Sequence, residues 1–510
     1  MNHFYERRCR SISLLFLAAL IAGHKSPVRA QDNPTEPVKL GSLPGGKLGE
    51  SLLRMINEGD QAARTKFIQT SFTSAALKDT PLDEYRKLFE KLRLQSGGLD
   101  AARIADTSPN MLVFDVRSRK EGHVARMVLV LDKQEPGKLA DFMIMPGARS
   151  ELLPPFPLPK TKLSDAELIK EIERRVERLT SLDELSGVVL VAKGDRPFFH
   201  KAYGFANQDF QVPNRLDTKF HLGSMGKMFT SVAIAQLVAS GKLDFGDKLE
   251  KVLPDYPSRE VASKITIEQL LMHRAGLGDI FKPAFYEHRE RYRSPRDYFQ
   301  LFANEPLRFE PGSRWSYSNA GYVVLGAVIE KLSGKSYFDY VRENIFEPAG
   351  MKDTGAYELT QVTPNRAVGY LRDAAEDPLG LEPRRSNLLF VPFKGVSCGG
   401  GYSTALDLLR FASWLKSYKF LSREMTEKIV AGKSEYRSPF GPAKYGYGFV
   451  TETFGGKEVR GHGGGGANSG IDSELAIFWD GSYTVIVLGN YDAPAAARLT
   501  HQLCDLLATQ

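Results

Sequence analysis

The chain has 510 residues, of which 42% are hydrophobic and 25% are charged. This composition is typical of a soluble globular protein and excludes a disordered, collagen-like or multi-span membrane chain. The formal net charge is +7, but residues 1–30 contribute +4 of it, and the remaining +3 gives no electrostatic basis for nucleic-acid binding. A chain of this length predicts two to four domains, at roughly 100 to 200 residues each.

The first 30 residues have the pattern of a secretory signal peptide. Arg7, Arg8 and Arg10 precede an apolar run from Ile12 to Ala22, and a small-residue cleavage site ends at Ala30. The apolar run is too short to cross a bilayer, which requires about 20 residues. The sequence therefore predicts a secreted or periplasmic protein that is cleaved after Ala30 and has no stable membrane insertion.

A proline-rich stretch, residues 146–162, is predicted to be a linker between two domains. The segment before it, residues 31–145, is predicted to be a small α+β accessory domain. Its elements are helices around Leu48–Ile56 and Tyr85–Leu92 and strands at Met111–Val116, Ala125–Leu131 and Leu139–Ile144. Because this segment has no convincing catalytic set, we expect it to mediate docking or dimerisation, and we expect deletion of Gln31 to Pro159 to leave ester turnover largely intact.

The longer segment, residues 163–510, has strand patterns at both ends and mainly helical patterns between them. A capping box from Ser164 to Glu167 begins its first helix. Later elements are strand pairs at Val188–Val191 with Pro197–Tyr203 and at Leu475–Trp479 with Tyr483–Leu488, and a helix at Ala495–Leu507. We therefore predict an α/β (α+β) fold in which both ends of this segment form one antiparallel sheet and a helical region is inserted between them.

Several motifs lack the context that their chemistry requires. Residues 395–399 match the G-x-S-x-G nucleophile elbow and residues 462–465 match a lipase oxyanion loop, but their order along the chain is wrong for that fold. Residues 461–466 fit a dinucleotide fingerprint without its βαβ context, and predict a glycine-rich turn instead. Because no zinc-binding motif occurs, neither a metal nor a cofactor is expected. Cys398 and Cys504 are expected to be two buried thiols.

The motif S-x-x-K occurs twice, at Ser224 to Lys227 and at Ser413 to Lys416. Ser224 precedes an apolar helical run, which places it at a helix N-terminus, whereas Ser413 lies late in a helix. On a helix, residues i and i+3 share one face, so Lys227 can reach the Ser224 hydroxyl. Desolvation and the helix dipole would favour the neutral amine that a general base requires. An N-capping serine beside an unrelated lysine is the alternative interpretation.

Two further elements follow along the chain. Tyr317-Ser318-Asn319 leads into an apolar helix, and its alternative interpretation is a helix-capping loop with a packed tyrosine. His462 lies in a glycine run before a C-terminal strand, and its alternative interpretation is a surface histidine in a flexible loop.

In this order, the three motifs resemble those of the serine β-lactamase and penicillin-binding-protein superfamily, closest to the class C branch and the family VIII carboxylesterases. They are Ser224-x-x-Lys227, Tyr317-x-Asn319 and His462-x-Gly464. The resemblance covers about Leu163 to Gln510 and implies a metal-free serine hydrolase with that superfamily's fold.

The resemblance also implies a role for each residue of the motifs. Ser224 would be the acylated nucleophile, and Lys227 with Tyr317 would transfer protons to and from it and the leaving group. Asn319 would hydrogen-bond the substrate, and the main-chain amides of Ser224 and Gly465 would form the oxyanion hole.

Gly464 would let the strand approach the ligand closely. His462 replaces a lysine that is common at this position in the family, and a neutral histidine offers no permanent cation to a substrate carboxylate. We therefore expect short-chain esters first, D-amino-acid peptides, including cell-wall peptides, second, and β-lactams third. The alternatives are a D-alanyl-D-alanine carboxypeptidase, a β-lactamase, or a slow-turnover penicillin-binding sensor or docking protein.

Overall fold

The computed structural model of the protein describes residues 38–438, 440–466 and 468–510. The predicted signal peptide, residues 1–30, lies outside the described residues. Within the described part of the chain, no helix is both long enough and apolar enough to cross a membrane.

The N-terminal domain packs four helices against a four-stranded antiparallel sheet of order β1-β2-β3-β4. The helices are α1 Gly46–Asn57, α2 Gln61–Ser71, α3 Ser74–Asp79 and α4 Leu82–Ser96, and the strands are β1 Leu99–Ser108, β2 Met111–Ser118, β3 Val124–Leu131 and β4 Leu139–Pro146. The two predicted helices are α1 and α4, and the three predicted strands are β2 to β4. Strand β1 was not predicted from the sequence, because polar residues such as Asp100, Arg103 and Asp106 hide its period-two pattern.

The remaining strands belong to the longer segment, residues 163–510, which carries the three motifs and which we call the catalytic segment. They are β5 Gly187–Lys193, β6 Arg196–Tyr203, β7 Phe205–Asn207, β8 Val212–Pro213, β9 Phe220–His221, β10 Tyr370–Leu371, β11 Arg385–Ser386, β12 Tyr402–Ser403, β13 Ser434–Ser438, β14 Gly441–Tyr445, β15 Val450–Phe454, β16 Lys457–Gly466, β17 Ile471–Phe478 and β18 Tyr483–Gly489. An antiparallel sheet of eight strands has the order β13-β14-β15-β16-β17-β18-β5-β6. The prediction that both ends of the segment share one antiparallel sheet is therefore confirmed, and four further strands, β13 to β16, extend its C-terminal side.

The helices of this segment lie on both faces of the sheet. They are α5 Asp165–Ser181, α6 Gly226–Ala239, α7 Leu249–Val252, α8 Arg259–Lys264, α9 Ile267–Leu271, α10 Pro283–Glu287, α11 Asn319–Ser333, α12 Tyr337–Val341, α13 Ala405–Lys416, α14 Arg423–Val430 and α15 Ala495–Ala508. Leu190 and Ile486, which are register partners, join the core around α6. Their neighbours Val191 and Val485 face α5 and α15. This alternation determines which residues of each strand face the inserted helical region.

The proline-rich segment packs between the two domains through an ionic cluster. Asp115 of β2 is fully buried and pairs with Arg103 (2.7 Å) and Arg126 (2.9 Å). Glu151 pairs with the same two arginines and with Arg498 of α15. Although burial acts to raise the pKa of Asp115, the charges of Arg126 and Arg103 outweigh it and lower that pKa. Because the cluster includes residues of both domains, it joins the N-terminal domain to the helix that covers the catalytic sheet.

Candidate active site

The structure places Ser224 at the start of the most buried helix of the catalytic segment. A single 3-10 turn, Gly223–Met225, leads into α6, which is apolar all round and packed on every side over most of its length. Gly223 has φ +50°, a left-handed conformation that allows this sharp entry. Lys227, three residues after Ser224, directs its Nζ to within 3.2 Å of the Ser224 Oγ.

Lys227 is fully buried and has three hydrogen-bond acceptors. Its Nζ donates to the Ser224 Oγ, to the Asn319 Oδ1 (2.8 Å) and to the main-chain carbonyl of Cys398. Burial lowers the pKa of Lys227 to about 8, while the nearby Cys398 and Asp279 act in the opposite direction. Near pH 8 a large fraction of this amine is therefore neutral and able to accept the serine proton.

Tyr317 faces Ser224 from the loop before α11. Its hydroxyl shares a hydrogen bond with the Ser224 side chain, and its ring lies 4.8 Å from the Lys227 Nζ. Burial raises the pKa of Tyr317 well above its usual range, so it remains a neutral phenol that can pass a proton on. Ser318 caps α11 by accepting from the Gly321 amide (3.2 Å), and this cap sets Tyr317 just outside the helix.

Asn319 links the lysine to a carboxylate that sequence analysis missed. While its Oδ1 accepts from Lys227, its Nδ2 donates to both carboxylate oxygens of Asp279, at 3.2 and 3.1 Å. The Asp279 Oδ1 also accepts from the amide of Ile280 (2.6 Å). A lone aspartate in a loop has no local signal. Only its contact with Asn319 identifies it as part of the site.

His462 lies inside a chain of hydrogen bonds and away from open solvent. The His273 Nδ1 accepts from the Ser318 amide (3.1 Å), and the His273 Nε2 lies 3.0 Å from the Tyr445 hydroxyl. That hydroxyl is 3.1 Å from the His462 Nε2, whose ring bonds the Gly463 carbonyl through Nδ1. The amide contact at Nδ1 assigns the His273 ring as neutral. Burial lowers the pKa of His462 to about 3, so this side chain supplies no cation to the site.

The glycine run was predicted to be a turn, and that prediction is wrong because it is part of strand β16. Gly464 pairs with Ser473 and Gly465 pairs with Asp472. A Cβ at Gly464 would lie 1.9 Å from the Leu222 carbonyl oxygen and 2.9 Å from the Ser224 amide nitrogen. The glycine therefore permits close approach to the turn that carries Ser224. A Cβ at Gly223 would similarly lie 2.6 Å from the Gly465 amide nitrogen, so the two expected oxyanion donors lie on adjoining backbone.

A cleft of about 140 Å³ opens above Ser224. One part of its lining is an apolar wall, and Gly466, Asn468 and Ser469 form a rim. The apolar wall comprises Phe281, Tyr286, Phe390, Val391 and Pro392. None of the described residues that line the cleft is an arginine or a lysine. The cleft therefore suits an apolar acyl group and offers no charge partner to a carboxylate.

Neither of the two competing serines lines the cleft. Ser413 is near the C-terminal end of α13, and Ser397 of the G-x-S-x-G match is fully buried. Cys398 and Cys504 are free, buried thiols, as predicted. Among residues 38–438, 440–466 and 468–510, no group of three His, Cys, Asp or Glu side chains is arranged to hold a metal ion.

Comparisons with known proteins agree with this geometry. The Beta-lactamase family model matches residues 172–508. Penicillin-binding protein 4* of Bacillus subtilis (strain 168) is 31% identical over 340 residues, covering 63% of this chain and 71% of that protein. A D-aminopeptidase of Cereibacter sphaeroides is 25% identical over 324 residues, covering 63% and 60%. The crystal structure of a penicillin binding protein from Bacillus halodurans superposes with a TM-score of 0.56 and 29% identity, covering 67% of this chain and all of that one. The chain therefore belongs to the β-lactamase family of serine hydrolases.

Proposed function

We propose that this protein is a secreted hydrolase that cleaves small esters and D-aminoacyl amides or peptides through an acyl-enzyme on Ser224. The observation that carries the proposal is the Ser224 Oγ, which is hydrogen-bonded to both Lys227 and Tyr317 at the base of a cleft without a lining cation. The signal pattern of residues 1–30 supports secretion.

The reaction follows from the positions of the proton carriers. Neutral Lys227 accepts the Ser224 proton as the Oγ attacks the substrate carbonyl carbon, and the amides of Ser224 and Gly465 stabilise the oxyanion. When the bond to the leaving group breaks, Tyr317 passes a proton to the departing oxygen or nitrogen, and Lys227 replaces that proton. Water then attacks the acyl-enzyme, releases the acid and restores the serine.

The walls of the cleft indicate the substrate class. The apolar wall suits a short acyl or side chain, and neutral His462 gives no attraction for a terminal carboxylate. We infer that Asp279, which is hydrogen-bonded to the cleft residue Asn319, pairs with the free ammonium of a D-aminoacyl group. The similarity to a D-aminopeptidase supports this second substrate class. Carboxylate-bearing β-lactams are therefore the poorest of the three expected substrates.

The test compares the wild type with Ser224→Ala on p-nitrophenyl butyrate and on D-alanine p-nitroanilide at pH 8. The matched control is Ser413→Ala, which alters the other S-x-x-K serine. We expect Ser224→Ala to abolish both activities, Ser413→Ala to retain them, and mass spectrometry to find the acyl group on Ser224. Equal rates in Ser224→Ala and the wild type would refute the nucleophile. A burst followed by a persistent adduct would favour the slow sensor.

A further inference from the structure

A loop of the catalytic segment, residues 372–384, inserts into the core of the N-terminal domain. Leu379 at its tip is only 2% exposed and belongs to the same apolar core as Phe89 of α4. Leu381 packs against that core, and the Lys91 Nζ donates to the Glu376 carbonyl. The N-terminal domain therefore holds this loop by both apolar and polar contacts.

The loop is internally braced, so a constraint at its tip is transmitted to its base. The Asp377 carboxylate accepts from the amides of Leu381 and Glu382, both at 2.9 Å. At the base, β10 and β11 pair, with Tyr370 opposite Ser386. These contacts make the loop a firm hairpin connected directly to the residues that follow it.

The chain that leaves the hairpin builds the substrate cleft. Asn387, the residue after β11, donates from Nδ2 to the Ser469 carbonyl (2.9 Å) on the rim of the cleft. Phe390 to Pro392 then form part of the apolar wall. The Ala374 amide, inside the hairpin, donates to the Asn468 side chain (3.2 Å) on that rim. The apolar wall is thus connected to the hairpin through the chain, and the rim is connected to it through hydrogen bonds.

We propose that the N-terminal domain fixes the acyl-binding wall of the active site through this hairpin, and that Leu379 is the positioning residue that sets acyl-chain preference. The inference rests on the proposed hydrolysis at Ser224. It limits the expectation that deletion of residues 31–159 leaves ester turnover largely intact, because deletion would expose Leu379 and Leu381 and remove the contacts that hold the apolar wall. The chemistry at Ser224 would survive, whereas discrimination between acyl chains would not.

The test measures kcat and KM for p-nitrophenyl acetate, butyrate and hexanoate in the full chain and its Leu379→Ala and Leu379→Asp variants. The matched control is Leu52→Ala, a fully buried leucine of the same core that is carried by α1. We expect the butyrate-over-acetate preference in kcat/KM to fall at least about tenfold in the Leu379 variants, through KM, while kcat for acetate stays within about twofold. Hydrogen exchange should increase at residues 385–393 and 468–470 in these variants only.

The outcomes separate this inference from the proposed function. If folded Leu379→Ala keeps the wild-type chain-length profile and exchange pattern, the inference is refuted even though Ser224 remains the nucleophile. The same holds if Leu52→Ala changes the profile equally, because general loosening of the core would then explain the effect. If Leu379→Asp does not fold, Leu379→Ala decides alone. Loss of dependence on Ser224 would refute the proposed function itself.

Discussion

Gly464 offers a precise test of how the oxyanion donors are held. Its φ lies outside the left-handed region, so an alanine is conformationally allowed and the penalty is purely steric. The added Cβ would lie 1.9 Å from the Leu222 carbonyl oxygen, whereas real Cβ contacts essentially never fall below 3.0 Å. Strand β16 and the turn that carries Ser224 must therefore separate by about 1 Å.

That displacement takes the Gly465 amide out of reach of the oxyanion, because donors there act at about 2.7 to 3.1 Å. Loss of one such donor costs about 100-fold to 1,000-fold in kcat, or about 2.7 to 4 kcal/mol of transition-state stabilisation. We expect Gly464→Ala to lose this much kcat on p-nitrophenyl acetate and to change KM little. Gly466→Ala, on the same strand and on the rim of the cleft but with nothing within 4 Å of its Cβ, is the matched control for kcat. Equal kcat in Gly464→Ala and the wild type, with both folded, would refute the close-approach argument.

Three further predictions concern the base, the carboxylate and the interdomain cluster. Because burial lowers the pKa of Lys227 to about 8 and the base must be neutral, kcat/KM should rise with pH with a midpoint near 8. A profile that is flat from pH 6 to 9 would contradict this. Asp279→Asn should lower kcat/KM for D-alanine p-nitroanilide about tenfold or more and change p-nitrophenyl butyrate turnover less than threefold, since only the first substrate has an ammonium. Equal losses would contradict the assignment. Glu151→Gln removes a carboxylate shared by three arginines and should lower the free energy of unfolding by about 3 kcal/mol in urea titration, and a change below about 0.5 kcal/mol would count against the cluster.

The part of the site that could be predicted from sequence depends on local geometry. Ser224 and Lys227 are three residues apart at a helix start, so their contact follows from helical spacing alone. Tyr317 and Asn319 flank the capping residue of α11, which places them beside each other but does not say what they face. The family resemblance supplied that second step, and the structure brings all four side chains together.

The features that were missed depend on contacts between distant segments. Asp279 becomes significant only through Asn319, 40 residues later. Strand β16 has a run of glycines where strands usually carry β-branched residues, and only its pairing with β17 makes it a strand. In the sequence, Leu379 cannot be distinguished from an exposed loop leucine. The core that buries it consists of residues of the N-terminal domain, which lie far away in the chain. Composition and periodicity do not indicate which distant segments come into contact.

The sheet order also determines when, during synthesis of the chain, the fold and the active site can be completed. Strand β5 is made early, yet its partner β18 is Tyr483–Gly489, near the end of the chain. Until then β5 presents an apolar, unpaired edge that can recruit other chains. A product that stops before residue 457 would retain Ser224, Lys227 and Tyr317 but lack the strand that supplies the Gly465 amide. Proteolytic loss of the C-terminal strands would thus silence this enzyme and leave an aggregation-prone remnant.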